Sequence, residues 1–142
     1  VDVALAAGAD GVHLGRNDMP VSIARKILGP EAIVGGTARG VDDAIEAERQ
    51  GATYVGLGPV FPTSSKVVDH YPIGLETVTA VSLSIRIPVI AIAGITIENV
   101  ASVIRAGAYG VAVIGAVAHA EDPEAAVRAL LVSIQHGLGA SG

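Results

Sequence analysis

Three short passages repeat one pattern: Ala7-Gly8-Ala9-Asp10-Gly11-Val12, Gln50-Gly51-Ala52-Thr53-Tyr54-Val55 and Ala106-Gly107-Ala108-Tyr109-Gly110-Val111. Each sets a glycine where a helical stretch stops, follows it with alanine and one or two turn residues, and then runs into aliphatic side chains. Glycine takes most readily the left-handed conformation that closes a helix, so the pattern predicts a helix-to-strand junction used three times. The unequal spacing excludes a solenoid of equal repeats and fits strand-then-helix units joined by loops of different length.

Filling in the units predicts strands near Gly11 to Leu14, Ala32 to Gly36, Tyr54 to Gly58, Pro88 to Ala93 and Gly110 to Ile114. Helices are predicted near Pro20 to Leu28, Val41 to Gln50, Leu75 to Ser84, Ile97 to Ala106 and Pro123 to Gln135, and Val1 to Ala7 reads as a helix already under way. Helical spacing puts Ile97, Val100, Ala101 and Ile104 on one face, and Val127, Leu130, Leu131 and Ile134 on another. Asp122 before Pro123 is a helix start: an acceptor for the first free N–H groups, then a ring already at helical φ. The tail from His136 to Gly142 is expected to fray, leaving 1–135 as the folded domain.

Consecutive strand-then-helix units with no hairpin signal imply a parallel sheet with right-handed crossovers. Composition agrees. Half of the 142 residues are hydrophobic, yet aromatics amount to three Tyr and one Phe, with 18 Gly. The core must be aliphatic, as in α/β proteins whose strands are covered on both faces. An open doubly wound sheet and part of an eight-stranded (β/α)8 TIM barrel both accept this order. Gly56-Leu57-Gly58-Pro59 fails the dinucleotide-binding pattern at the proline, and the barrel is the preferred architecture.

The net charge of −5 offers no basic stripe for nucleic acid, and the absence of Cys removes disulfides and thiolate metal sites. The longest uncharged apolar run, Gly110 to Ala118, is far short of the roughly 20 residues of a membrane span. The chain reads as soluble and suits a reducing cytoplasm.

In either architecture ligands meet the ends of the strands, so the residues to inspect are those just after each one. They are Gly15-Arg16-Asn17-Asp18, Thr37-Ala38-Arg39, the Pro59 to Lys66 loop, Gly94-Ile95-Thr96 and Gly115-Ala116. Pro59 and Pro62 stop the third strand from continuing, and its loop ends in Thr63, Ser64, Ser65 and Lys66. Three hydroxyls and an ammonium suit phosphate or diphosphate; the same residues also suit a solvated turn. If Gly94 and Gly115 end the last two strands, their amides lie where such barrels bind phosphate. Asp18 reads equally as a Mg²⁺ ligand or as a carboxylate favouring the dipole of the helix that Pro20 starts. His13, inside an apolar strand, is expected to be a packed, hydrogen-bonded residue, and His70, His119 and His136 to be exposed.

With these residues in view, the sequence resembles the thiamine-phosphate synthases and their relatives the thiazole tautomerases. The likeness is carried by Gly8-Ala9-Asp10-Gly11-Val12-His13-Leu14-Gly15, by Asp18, by the run Gly56-Leu57-Gly58-Pro59-Val60-Phe61-Pro62-Thr63-Ser64-Ser65-Lys66, and by Ile92-Ala93-Gly94-Ile95. It implies a (β/α)8 barrel of which this chain supplies about strands four to eight. It also implies a reaction in which an aminopyrimidine methyl diphosphate loses diphosphate and a thiazole phosphate captures the pyrimidine methyl cation. Carried over residue by residue, Asp18 would be a Mg²⁺ ligand, Thr37 a hydroxyl contact to the diphosphate substrate, and Lys66 the cation that neutralises the leaving group. Thr63, Ser64 and Ser65 would line the thiazole phosphate site, with backbone groups from Gly94, Ile114 and Gly115.

The resemblance has gaps. The family's Gln-x-Arg-x-Lys strand and Asn-Asp pair would lie upstream of Val1, so the isolated chain is expected to be inactive. Ala93 stands where the family usually has Gly, and Gly115 where it usually has Ser. A tautomerase would carry its histidine where Arg39 stands and would lack the acidic ligand at Asp18; a non-catalytic phosphate-binding or regulatory domain is the reading from another class. Open strand edges and an uncovered barrel interior are expected to cause oligomerisation or aggregation.

Overall fold

The computed structural model describes residues 1–63 and 71–139. Five parallel strands, β1 (Gly11–Leu14), β2 (Ile33–Ala38), β3 (Tyr54–Leu57), β4 (Val89–Ile92) and β5 (Gly110–Ala112), pair in the order β1-β2-β3-β4-β5. Between and around them run α1 (Asp2–Ala6), α2 (Val21–Leu28), α3 (Val41–Arg49), α4 (Gly74–Ser84), α5 (Val100–Arg105), α6 (Gly115–Ala118) and α7 (Pro123–Gly139). A doubly wound sheet reverses its strand order partway; this one never does. Crossovers of one hand in an unreversed order put every helix on the same face, which is the construction of a barrel wall.

Burial shows the same asymmetry. On the helix side Val34, Ala38, Val55, Leu57 and Ala91 are completely buried, against Ala24, Ala44, Val78, Val100 and Val103 of the helices. Small residues bring these layers close: a Cβ on Gly36 would stand 3.3 Å from both the Ala47 Cβ and the Val21 side chain. The register places His13, Ile33, Thr37, Tyr54, Ile92 and Ala112 on the opposite face. Among the described residues that face lacks a helix layer, so His13 and Ala112 are exposed and Ile33 is 48% exposed. His13 is therefore hydrogen-bonded, as expected, but not packed in a core.

The repeated junctions form as the glycines predict. Gly8, Gly51 and Gly107 have φ of 63°, 92° and 103°. The following alanine N–H reaches back five residues, Ala9 to the Ala4 carbonyl at 2.9 Å, Ala52 to Ala47 at 3.0 Å and Ala108 to Val103 at 3.3 Å. These are Schellman closures, which satisfy carbonyls at the helix end before the chain turns into a strand.

Two helix boundaries differ from expectation. α5 begins at Val100 rather than Ile97, because the Asn99 side chain accepts the Thr96 N–H at 2.9 Å and holds 96–99 as a turn. α7 starts at Pro123, with the Asp122 carboxylate accepting the Ala125 N–H at 3.0 Å, but it runs to Gly139 instead of fraying from His136. Gly137 is the reason: it is buried against α5, where a Cβ would meet the Ala101 carbonyl at 2.9 Å. α7 also buries Ala126 and Leu130 while leaving Val127 and Leu131 exposed, so its inner face is rotated from the one expected.

Candidate active site

The carboxyl ends of β2 to β5 and the loops after them enclose a cavity of about 600 Å³. Thr37, the last polar residue of β2, and Thr63, after β3, both line it. Gly94, Ile114 and Gly115 bound it at the ends of β4 and β5. Five of the residues expected at the site thus meet in one place. Pro59, Pro62, Ile92 and Ile95 give it apolar walls, which limit water around anything held there.

The floor at Gly94 is built for close approach. Val60 N–H donates to the Ile92 carbonyl at 3.0 Å and Phe61 N–H to the Ala93 carbonyl at 3.3 Å, laying the β3 loop along the end of β4. A Cβ on Gly94 would fall 2.5 Å from the Pro62 carbonyl oxygen, so only glycine fits. Ala93 and Gly94 both lie in the left-handed region, with φ of 70° and 69°. Asn99, which sequence patterning did not single out, fixes this turn by donating to the Gly94 carbonyl at 2.9 Å while accepting from Thr96. At the neighbouring strand the chain passes from β5 into α6, and the N–H groups of Gly115 and Ala116 precede its first intrahelical bonds.

Thr37 belongs to a hydrogen-bond chain across the open face of the sheet. Its hydroxyl donates to the Leu14 carbonyl at 3.1 Å, so the 2.9 Å contact from His13 Nε2 must be an N–H donating to Thr37 Oγ1. His13 Nδ1 is then the acceptor for the Tyr54 hydroxyl at 3.0 Å. The chain is complete with a neutral imidazole. Partial desolvation of its ring, stacked on Tyr54 though its side chain as a whole is exposed, pushes the His13 pKa below its usual value, partly opposed by the charge of Asp18. Gly35 and Gly56 leave room for it, since a Cβ on either would strike the His13 ring, and on Gly35 the Tyr54 ring as well.

Arg16 and Arg39 also line the cavity. Asp43 in α3 holds them in register: one carboxylate oxygen accepts from Arg16 Nη1 at 3.0 Å and from the Arg39 backbone N–H at 3.0 Å. His119, exposed as expected, lines the mouth beyond α6. No Asp or Glu lines the cavity among the described residues.

Asp18 stands apart. It lines a second hollow of about 650 Å³ along the β1 edge, with His13, Leu14 and Met19. One carboxylate oxygen accepts the Gly15 N–H at 2.6 Å, and the other has no hydrogen-bond partner among the described residues. The β1 loop thus sends Arg16 to the first cavity and Asp18 to its neighbour. Among the described residues no three His, Asp or Glu side chains gather into a metal cage. A single carboxylate oxygen does fit Mg²⁺, which takes one or two carboxylates and completes its shell with water and phosphate oxygens. Ser64, Ser65, Lys66 and His70 lie outside the described residues. No helix among the described residues is long and apolar enough to cross a membrane.

Residues 1–117 match the family model described as thiamine monophosphate synthase. A thiamine-phosphate synthase of Chlorobium luteolum is 51% identical over 130 residues, covering 92% of this chain and 61% of that protein. One from Roseiflexus castenholzii is 53% identical over 130 residues, covering 92% of this chain and 57% of that one. Among solved structures, the thiamine phosphate pyrophosphorylase from Pyrococcus furiosus superposes with a TM-score of 0.84 at 43% identity, covering 96% of this chain and 65% of that chain. The chain spans about three fifths of the length of the curated relatives it matches.

Proposed function

The chain belongs to the thiamine monophosphate synthase family, and from that premise we propose that its cavity serves the condensation of an aminopyrimidine methyl diphosphate with a thiazole phosphate, in the cytoplasm. The observation that carries this reading is the meeting of Thr37, Thr63, Gly94, Ile114 and Gly115 in one apolar-walled cavity at the strand ends.

In the reaction the bond between the pyrimidine methylene carbon and the diphosphate oxygen breaks, its electron pair leaving with diphosphate. The thiazole nitrogen then donates its lone pair to that carbon, and the products are thiamine phosphate and diphosphate. No step requires a nucleophilic side chain or a strong base. What the protein must supply is charge neutralisation for the leaving group, a fixed distance between the partners, and exclusion of water from the cation. Thr63 and the backbone of Gly94, Ile114 and Gly115 orient the thiazole phosphate on this reading. Thr37 contacts the diphosphate substrate on this reading by turning its O–H from the Leu14 carbonyl to the substrate, while the His13 Nε2–H continues to donate to its oxygen. Lys66 neutralises the leaving diphosphate, and Ser64 and Ser65 serve the thiazole phosphate together with Thr63. Asp18, in the neighbouring hollow, would hold Mg²⁺ through its second carboxylate oxygen, and the ion would supply positive charge to a diphosphate that reaches from the cavity across the β1 loop.

The test is product formation from both substrates with Mg²⁺, using this chain expressed together with the coding sequence upstream of Val1. Lys66→Ala should reduce turnover about a hundredfold or more, as removal of a charge that stabilises a transition state does, with little change in the unfolding midpoint. A fully active variant would remove Lys66 from the mechanism. Anion binding without any product would leave a phosphate-binding domain in place of an enzyme.

A further inference from the structure

Asn99 makes two side-chain bonds, and the helix it precedes accounts for only one of them. Its Oδ1 accepts the Thr96 N–H at 2.9 Å, while the Asn99 and Val100 N–H groups return to the Thr96 carbonyl at 3.3 Å and 3.0 Å, closing the turn into α5. A side chain that reaches back to a free N–H at a helix entry is half of a capping box, and a carboxylate does this as well as an amide. Capping therefore explains the oxygen and leaves the nitrogen over. Asn99 Nδ2 donates at 2.9 Å to the carbonyl of Gly94, on the cavity floor. One partner can only donate and the other only accept, so the amide sits one way round.

Gly94 thus lies between two tethered peptides. The Ala93 carbonyl accepts the Phe61 N–H at 3.3 Å and the Gly94 carbonyl accepts Asn99, so the planes on both sides of Gly94 are set. In a trans peptide the N–H points away from the carbonyl, and neither the Gly94 nor the Ile95 N–H has an acceptor among the described residues. Glycine is the residue most free to turn its peptide planes, which is why a tether matters here.

We propose that Asn99 is a positioning residue for the singly phosphorylated substrate, its Nδ2 fixing the Gly94–Ile95 peptide so that the floor amides are held ready for phosphate oxygens. The inference rests on the functional reading above, since it takes the phosphate to be that of the thiazole partner. Donors that are already ordered add no ordering cost when the anion arrives. Asn99 does not line the cavity and acts only through the backbone.

The test compares Asn99→Asp and Asn99→Ala in this chain expressed together with the coding sequence upstream of Val1. Aspartate keeps the acceptor for Thr96 and loses the donor to Gly94; alanine loses both and adds no charge. Each should raise the KM for the thiazole phosphate about tenfold, as loss of one well-placed donor to an anion does, with the KM for the diphosphate substrate within about twofold. A residue that only caps α5 would give an aspartate variant that behaves as the parent. That result, or a loss in Asn99→Asp that Asn99→Ala does not share and that is therefore charge repulsion, would overturn the positioning while product formation by the parent kept the functional reading. Should the parent make no product, titration with orthophosphate, followed by calorimetry and amide NMR spectra, decides the two separately. Saturable binding that moves the Gly94 and Ile95 amide signals and weakens about tenfold in both variants would keep the positioning and sink the condensation. Binding indifferent to Asn99, or no binding, would overturn the positioning as well.

Discussion

At the scale of single residues, the floor of the cavity holds strain that one methyl group causes. Ala93 takes φ of 70°, a region that costs an L-residue about 1–2 kcal/mol, and its carbonyl still has to accept the Phe61 N–H. Ala93→Gly removes that cost and returns about 0.5–1 kcal/mol of it as unfolded-state entropy, for a net gain of about 0.5–1 kcal/mol. The urea midpoint should rise with an unchanged slope, and a lower midpoint would refute the strain. His13 gives a second prediction, with a definite sign. Its pKa is depressed in the folded chain, so the unfolded chain takes the proton first as pH drops. The stabilisation is complete above the ordinary histidine value of about 6.5 and is lost as pH falls from there through the folded value. Unfolding curves at pH 8 and pH 5 should show a smaller acid loss for His13→Gln than for the parent; equal losses would mean that His13 is not depressed. That Thr37, Gly94 and Gly115 would come together at the strand ends was legible, because each follows an aliphatic run there, and they line one cavity. The contacts of Arg39 and Asn99 were not. They depend on the carbonyls of Tyr71 and Gly94, which chain spacing does not relate to them.

At the scale of elements, the sequence reading was strongest where structure is enforced locally. A glycine with positive φ followed by alanine fixed all three helix-to-strand junctions, and β1 was read to the residue. It was weakest where a partner element decides. The start of α5 depends on a side-chain bond from Asn99, and the length of α7 depends on Gly137 finding a place against α5. α6, a four-residue helix of small side chains, is too short to show any period. The units are also tied together at the end of the sheet away from the cavity. Arg25 in α2 donates to the carbonyls of Gly29, Ala32 and Gly51 and to the Thr53 hydroxyl, joining α2 to the entries of β2 and β3. Arg25→Ala leaves several acceptors unpaired and should cost about 2–3 kcal/mol, read as a lower urea midpoint. Arg25→Lys should recover less than half of it, since one ammonium cannot span three loops. A loss below about 0.5 kcal/mol would show that the network is merely a surface decoration.

At the scale of the whole molecule, the sheet has a covered face and an open one. β1 and β5 do not pair with each other among the described residues, so the sheet ends in two parallel edges. The open face presents Ile33, 48% exposed, and Ile92 at the end of β4, with Ile114, 66% exposed, just beyond the end of β5. Unpaired edge groups beside apolar surface are a template for another chain, and burying an exposed isoleucine is worth about 1.5–3 kcal/mol. Charge opposes association only weakly, since a net −5 spread over 142 residues is screened beyond about 8–10 Å at physiological salt. Apolar attraction should therefore win. Sedimentation velocity of the 142-residue chain should show dimers or larger species at micromolar concentration, growing with added salt. Ile33→Lys puts a charge on the open face without touching the helix-covered core, so it should shift the population towards monomer while leaving the helical circular dichroism intact. A parent chain that sediments as a compact monomer at all salt concentrations would mean that the inner face is closed in solution, and the open-sheet description would have to be given up.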